Sequence, residues 1–492
     1  MHTQSEPTSE ISFDDFKATV LNDYRIAVTS RECSLLGRRE VLTGKAKFGI
    51  FGDGKEVPQL AMAKAFKKGD WRSGYYRDQT FMMAIDHFTI ENFFAGLYAH
   101  TSLENDPMSA GKQMGGHFGT HSLDENGKLK NLLEQYNSSA DISPTAGQMP
   151  RLLGLAQASK LFRQVPEMNT DGLSNEGNEV AWGTIGNAST SEGMFFETIN
   201  AAGVLQIPMV TAIWDDDYGI SVHAKHQTTK ENISEILSGF QRNEEENGFE
   251  IIRVKGWDYP ALIDAFEQAG KIAREQHVPV LLHVTELTQP QGHSTSGSHE
   301  RYKSKDRLQW EKEHDCNTKM REWMINNQIA TDEELTDLEK DIKRKVREGK
   351  RKAWESFLNP IKAEKKTVVS LIDTIISESE NGQFIKGIKQ ALVDEKDPLK
   401  SDVLIAARKT LRFVAQEQSE AISALKDWVT KFIAKEQPNY SSHVFSEFDS
   451  KATNIAEELP QYADDAKTVD ARIILRDNFD ALFSKYPKWT KL

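Results

Sequence analysis

Between Glu179 and Val284, short apolar runs rich in β-branched residues alternate with helical stretches, and this alternation constrains the fold more than any other feature of the chain. The runs cover 179–185, 207–213, 249–254 and 278–284, and the helical patterns cover 192–205, 230–243 and 259–276. A strand–helix–strand order predicts an α/β fold, a parallel sheet flanked by helices. In such sheets ligands bind outside the carboxyl ends of the strands. The residues leaving each strand are therefore the first candidates for chemistry.

Beyond Lys303 the pattern changes. Glycine becomes sparse and charge dense, as in 333–344, with apolar residues at helical spacing. This predicts a mainly helical C-terminal region to about Asp465, stabilised in part by i,i+4 charge pairs and carrying no second catalytic domain. Residues 468–485 form another amphipathic helical pattern. A formal charge of −13 makes the chain a poor partner for a nucleic-acid backbone. With 38% apolar and 27% charged residues the composition is that of a folded chain. No apolar run reaches the ~18 residues that span a bilayer, so neither nucleic acid nor membrane is expected as a partner. Two cysteines, Cys33 and Cys316, cannot build a disulfide scaffold or a Cys-based zinc site, which fits a reducing compartment. Cys33 is expected in helix packing and Cys316 exposed on a charged helix. The polar, acidic N-terminal segment reads as neither a signal nor a transit peptide, so the expected location is cytoplasmic.

Two strand ends carry the chemistry. The first, 185–193, leaves a predicted strand through Gly186, Asn187, Ala188 and Ser189 and enters a helix at Ser191–Glu192. Small residues let backbone N–H groups approach a phosphate, and a helix N-terminus adds a favourable dipole. The second, 214–221, contains Asp215, Asp216, Asp217, Tyr218 and Gly219. Residues 189–214 separate the two, room for one helix and one strand, so the loops should lie side by side. An amide oxygen and a carboxylate on adjacent strand ends suit Mg²⁺ with the oxygens of a bound diphosphate. Judged alone, either loop is equally an ordinary turn after a strand.

Together with their neighbours, these loops resemble a family. Gly-Asp-Gly, then one helix and one strand, then Asn-Asn is the cofactor motif of thiamine-diphosphate enzymes. The order of further motifs is similar to the alpha subunit of 2-oxo acid dehydrogenases, the decarboxylating component. These motifs are Tyr75–Asp78, Gly111–Gly119, Ser143–Gln148, Ser191–Gly193, Tyr218–Ser221 and Gly292–Ser296. The similarity runs from about Asp23 to Tyr302. It implies a thiamine-diphosphate-binding fold, with thiamine diphosphate and Mg²⁺ as cofactors. By the same resemblance Asn187, Asp216 and the Tyr218 carbonyl fall at metal-binding positions. Tyr76, Arg77 and His293 fall at the diphosphate, as do Gly186, Ala188 and Ser189. Ser143 and Thr145 fall beside the aminopyrimidine, and His117 falls near the reacting carbon. His117 and His293 are the expected catalytic residues, since histidine exchanges protons near neutral pH.

The chain departs from the pattern at several positions. The acidic-then-amide order of the metal pair is inverted, with Asn187 first and Asp216 second, which keeps one carboxylate and one amide. Trp214 stands where an Arg often precedes the Asn pair, and Ala188 replaces a Gly. Asp215 and Asp217 add negative charge, facing solvent or repelling a diphosphate. A literal Gly-Asp-Gly at 52–54, followed by Lys55 and Glu56, lacks a partner at the required distance and is assigned no metal.

The expected organisation is an N-terminal tail (1–20), a domain holding the diphosphate side of the cofactor (21–305), a helical region or linker (306–465), and a segment like the start of a beta subunit (466–492). The last feature suggests a fused alpha/beta protein whose beta half begins as this sequence ends. The resemblance implies oxidative decarboxylation of a 2-oxo acid, pyruvate or a branched-chain analogue, with acyl transfer to a lipoyl group. It also implies a beta subunit, a lipoyl-carrying acyltransferase and a homodimer or alpha2beta2 assembly, with weak cofactor binding by this chain alone. The alternatives are a non-catalytic scaffold subunit and another thiamine-diphosphate enzyme, such as an acetoin dehydrogenase.

Overall fold

Strand β4 (Met209–Trp214) reads Met-Val-Thr-Ala-Ile-Trp, and all six residues are buried. Val210, Ala212 and Trp214 pack into one apolar cluster, Met209 and Ile213 into another. That split is the two-residue period of a strand covered on both faces. The computed structural model describes residues 12–486 except 170–171, 442–445, 447, 450, 458 and 460–462.

The other strands are β1 (Trp71–Ser73), β2 (Asn137–Ser138), β3 (Ala181–Gly186), β5 (Tyr218–Gly219), β6 (Val222–His223), β7 (Glu250–Lys255) and β8 (Val280–Thr285). Six of them form one sheet in the order β2-β1-β3-β4-β8-β7, and every pairing in it is parallel. The expected α/β fold is therefore present. On one face lie the helices Phe13–Leu42, Glu56–Ala65 and Tyr259–Gln276; on the other lie Met149–Gln164 and Gly193–Leu205. The helix 259–276 falls on its predicted span because its ends are marked. Asp258 accepts from the Ala261 N–H at the start, and His277 stops it in the left-handed region at φ 54°.

The stretch 230–243, expected as one helix, is not. Lys230 and Glu231 both adopt positive φ, and only Ile233–Ile236 is α-helical, followed by a 3-10 turn at Leu237–Phe240. The Asn232 side chain caps this short helix by accepting from the Glu235 N–H, a local start signal that overrides the longer apolar pattern.

The C-terminal region is helical as expected. Its backbone is a 47-residue helix, Asp332–Glu378, opened by a capping box between Thr331 and Glu334. Leu335, Ile342, Val346 and Ala353 on its first half join the core beside the sheet. Ile361, Val368, Ile372 and Ile375 on its second half join a separate core with the helices Gly382–Asp394, Lys400–Phe413 and Glu420–Glu436. Cys33 is buried in the first helix. Cys316, expected exposed, is 2% exposed, and its thiol donates to Glu56 Oε2 at 3.3 Å. The charged sequence around Cys316 hid this, because its neighbour Asp315 is itself buried in a pair with Arg31. Among the described residues, no helix is long and apolar enough to cross a membrane.

Candidate active site

Parallel pairing places the carboxyl ends of β1, β3, β4 and β8 on one edge of the sheet, and the segments leaving them meet there. Beneath these segments lies the fully buried guanidinium of Arg72. It forms a fork with both oxygens of Asp141 at 3.0 Å and donates to Asp78 Oδ2 at 2.6 Å. Asp78 also accepts from Thr184 on β3 and from the Trp214 indole on β4. This network joins three strands directly under Tyr75–Asp78 and gives Trp214 a packing role in place of the missing Arg.

Arg77, 4% exposed, donates through Nη1 to the Phe51 carbonyl and through Nη2 to His293, at both its carbonyl and its Nδ1, each at 3.0 Å. Because Arg only donates, His293 Nδ1 is an acceptor and the ring proton sits on Nε2. Burial, with Arg77 and Lys55 adding repulsion, pushes the His293 imidazolium down to about 4. At neutral pH this ring is a neutral hydrogen-bond donor.

Asp216 is 4% exposed; its Oδ2 accepts from Lys55 Nζ at 2.8 Å, and its Oδ1 accepts from the Tyr218 N–H. Lys55 is only 1% exposed and also donates to the Thr288 carbonyl at 3.2 Å. The turn carrying it is wedged between two backbones. A Cβ on Gly52 would lie 2.1 Å from the Arg77 carbonyl oxygen, and one on Gly54, at φ +86°, would lie 2.1 Å from that of Thr288. Only glycine fits either place. Burial alone would raise the Asp216 carboxyl, but Lys55, with Lys303 and Arg77 beyond it, holds it below its usual range.

Asn187 and Asp216 sit on neighbouring strand ends, since Gly186 and Trp214 are paired across β3 and β4. The loops touch: a Cβ on Gly219 would lie 2.5 Å from Ala188 Cβ. Asn187 is 6% exposed, and its Nδ2 is a buried donor with no partner among the described residues. Gly186, Ala188 and Ser189 are half-buried along the same turn. Both flanking carboxylates are paired, and the Asp217 side chain also keeps 40% exposure. Asp215 accepts from the Asp217 N–H and pairs with His283 at 2.8 Å, while Asp217 pairs with Arg307. The Tyr218 ring lies 5.1 Å from Lys303 Nζ and 5.5 Å from the Arg307 guanidinium.

On the other side of Tyr76, His117 Nδ1 donates to the Met114 carbonyl at 2.7 Å, and its Nε2 is 2.6 Å from Ser143 Oγ. A carbonyl only accepts, so the proton is on Nδ1 and the neutral ring's Nε2 accepts from Ser143. Thr145 donates to Glu192 at 2.7 Å, fastening the 143–148 loop to the entry of the helix after β3. The Tyr76 ring spans the two groups, 5.4 Å from the Arg77 guanidinium and 6.2 Å from the His117 ring. An apolar pocket lined by Phe51, Phe88, Phe93, Met108 and Met114 reaches His117.

All the sequence-derived residues thus lie along one sheet edge. Lys55 was missed, although its turn was noticed as a decoy; so were Arg72, Lys303 and Arg307. A lysine directly after the Gly52-Asp53-Gly54 turn, together with an aspartate at 216, was the available signal. The side chains do not suit a divalent cation as they stand. Asp216 is taken by an ammonium, and the Asn187 Nδ2 is a buried donor without a partner among the described residues. They suit an anion, with buried donors from Lys55, Arg77 and Asn187.

The model of the dehydrogenase E1 component family matches residues 26–361. Among curated proteins, the chain is 28% identical over 241 residues to the 2-oxoisovalerate dehydrogenase subunit alpha of Bacillus subtilis, covering 49% of this chain and 62% of that protein. It is 25% identical over 316 residues to the 2-oxoisovalerate dehydrogenase subunit alpha 1, mitochondrial, of Arabidopsis thaliana, covering 63% and 58%. It is 25% identical over 334 residues to the pyruvate dehydrogenase E1 component subunit alpha of Acholeplasma laidlawii, covering 66% and 81%. The chain spans about three fifths of the length of the first two relatives.

Proposed function

The chain belongs to the dehydrogenase E1 component family, and from that premise we propose that it is the alpha component of a thiamine-diphosphate-dependent 2-oxo acid dehydrogenase. The observation that carries the proposal is the Tyr76 bridge, which sets a buried anion site at Arg77 beside the His117–Ser143 pair. Thiamine diphosphate, when bound, supplies a nucleophilic carbon for the 2-oxo group and an electron sink for the departing CO₂. Arg77 and Lys55 hold the diphosphate, and the His293 Nε2–H adds a neutral donor. Ser143 and Thr145 border the aminopyrimidine. His117, its Nδ1–H fixed by Met114, keeps Nε2 as the acceptor or donor site nearest the reacting carbon. The apolar pocket excludes water and supports a substrate with a small apolar side chain, pyruvate or a branched-chain 2-oxo acid.

A Mg²⁺ ion at Asn187, Asp216 and Tyr218 would first have to displace Lys55 from Asp216, and the present arrangement does not fit it. The partners are a beta subunit, in a homodimer or alpha2beta2 assembly, and a lipoyl-carrying acyltransferase that takes the acyl group. Two free, buried cysteines support a reducing, cytoplasmic setting.

The test is turnover of pyruvate and 2-oxoisovalerate, read with an artificial electron acceptor, by this chain combined with a beta polypeptide. His117→Ala should lower it by about a hundredfold or more. Unchanged turnover in the variant would remove His117 from the chemistry. Thiamine diphosphate binding without any turnover would favour the scaffold subunit.

A further inference from the structure

We infer that the Lys55 ammonium takes the place of a divalent metal, so that the site binds a diphosphate ester without one. The inference rests on the reading of the cleft as a thiamine-diphosphate site. A metal here would be held by Asp216 and would neutralise phosphate charge. Lys55 Nζ already contacts Asp216 Oδ2 at 2.8 Å, is 1% exposed, and has a second acceptor in the Thr288 carbonyl. An ammonium carries three donors, so one remains for an incoming oxygen. The placement is enforced: Gly52 and Gly54 admit the turn between two backbone carbonyls, and nothing larger fits.

Two departures from the family pattern then have one cause. A cation fixed on the protein needs one carboxylate as its counterion, which Asp216 provides. It needs no second acidic ligand, so the position before Ala188 carries an amide. The Nδ2 of that amide is buried and unpartnered among the described residues, a donor suited to a phosphate oxygen. Arg77 supplies the second permanent cation. Lys55, Arg77 and Asp216 together sum to one positive charge, complementary to an anion and repulsive to Mg²⁺.

The test is calorimetric titration of the metal-stripped chain with thiamine diphosphate and, separately, with inorganic pyrophosphate, in EDTA and in Mg²⁺. Wild-type affinity for either ligand should agree within about threefold between the two buffers. Lys55→Gln should lose about ten- to a hundredfold in EDTA and recover with Mg²⁺. Lys55→Arg should keep the metal independence. Mn²⁺ resonance gives a second readout: relative to the same ligand without protein, wild type should lower the aqueous Mn²⁺ signal no further, and Lys55→Gln should lower it further. Wild-type binding that requires Mg²⁺, or Mn²⁺ captured by wild type, overturns the inference without touching the cofactor reading. Pyrophosphate bound in EDTA while thiamine diphosphate is refused does the reverse. Neither ligand bound in either buffer, by the chain alone or with a beta polypeptide added, overturns both. The wild-type comparison needs no substitution, so a poorly folding variant does not blunt it.

Discussion

The two sides of the cleft are built from different materials. On one side Arg77, Lys55 and Asp216 are each at least nine-tenths buried and fixed by two or more partners. On the side of His117, Ser143 and Thr145 the groups are half or fully exposed and joined by single side-chain hydrogen bonds. A site that must hold a fixed anionic group gains from charges that cannot reorganise, because preorganised dipoles cost nothing at the moment of binding. Groups at an open rim can adjust to a substrate. The difference teaches where substitutions should act: on stability and affinity at the first side, on turnover at the second.

The largest effect is expected below the charged side. Arg72→Met leaves the Asp78 and Asp141 carboxylates buried without their common partner, and it should destabilise the chain by about 3–5 kcal/mol in urea unfolding at pH 7. A loss under 1 kcal/mol would mean that the buried charges are not a rigid foundation. Next is Asp216→Asn, whose amide still accepts from Lys55 but removes its counterion. Stability should fall by roughly 2–3 kcal/mol. Diphosphate binding in EDTA should hold or tighten, since the site becomes more positive. A ligand set that needed this carboxylate for a metal would instead lose binding.

The contrast also explains what the sequence disclosed. Strand alternation, the helix 259–276 and the meeting of the Asn187 and Asp216 loops were legible, because period and caps are local signals. The partner of Asp216 was not: Lys55 lies 161 positions away, and nothing in the spacing of Gly52–Glu56 says which carboxylate it meets. Arg72 likewise went unread, because nothing local shows that Asp141, 69 positions on, will meet it. Exposed groups such as Ser143 and His117 were found because motif order, a one-dimensional property, carries them. Partnered buried charges are fixed by three-dimensional closure, which a motif does not encode. Cys316 fails for the same reason, since its neighbour Asp315 is paired to Arg31, whereas the helix at 230–243 is broken by a local signal, the Asn232 cap, that the apolar pattern masked.

The acid side of the stability curve tests the burial itself. The histidine imidazolium ordinarily titrates near 6.5, and His293 and His277 are each pushed down to about 4, first by burial and then by neighbouring cations. The unfolded chain therefore takes up protons that the folded chain refuses. Stability should fall as pH drops from about 6.5 to about 4 and gain no further loss from these rings below that. His293→Gln removes one of the two rings and should flatten part of this slope in urea titrations at pH 7, 5.5 and 4. An unchanged slope would mean that His293 is protonated in the folded chain at ordinary acidity, contrary to its acceptor role toward Arg77.

The smallest effect on stability, and the sharpest separation of the two sides, is expected from Ser143→Ala. The hydroxyl sits at the exposed rim, and its loss leaves His117 still held by the Met114 carbonyl. Stability should change by less than about 0.5 kcal/mol, and diphosphate affinity should not move, because no buried charge is touched. Turnover with a beta polypeptide should fall about ten- to a hundredfold, because the ring loses the contact that sets its angle at the reacting centre. If Ser143 acts only through that ring, adding Ser143→Ala to His117→Ala should cost nothing further, whereas independent roles would make the two losses multiply. A buried pair such as Lys55–Asp216 cannot show this pattern, since removing either member leaves a charge without water or partner. Full coupling in turnover with no coupling in stability would mark the rim as a site of positioning, and the opposite result would make it part of the scaffold.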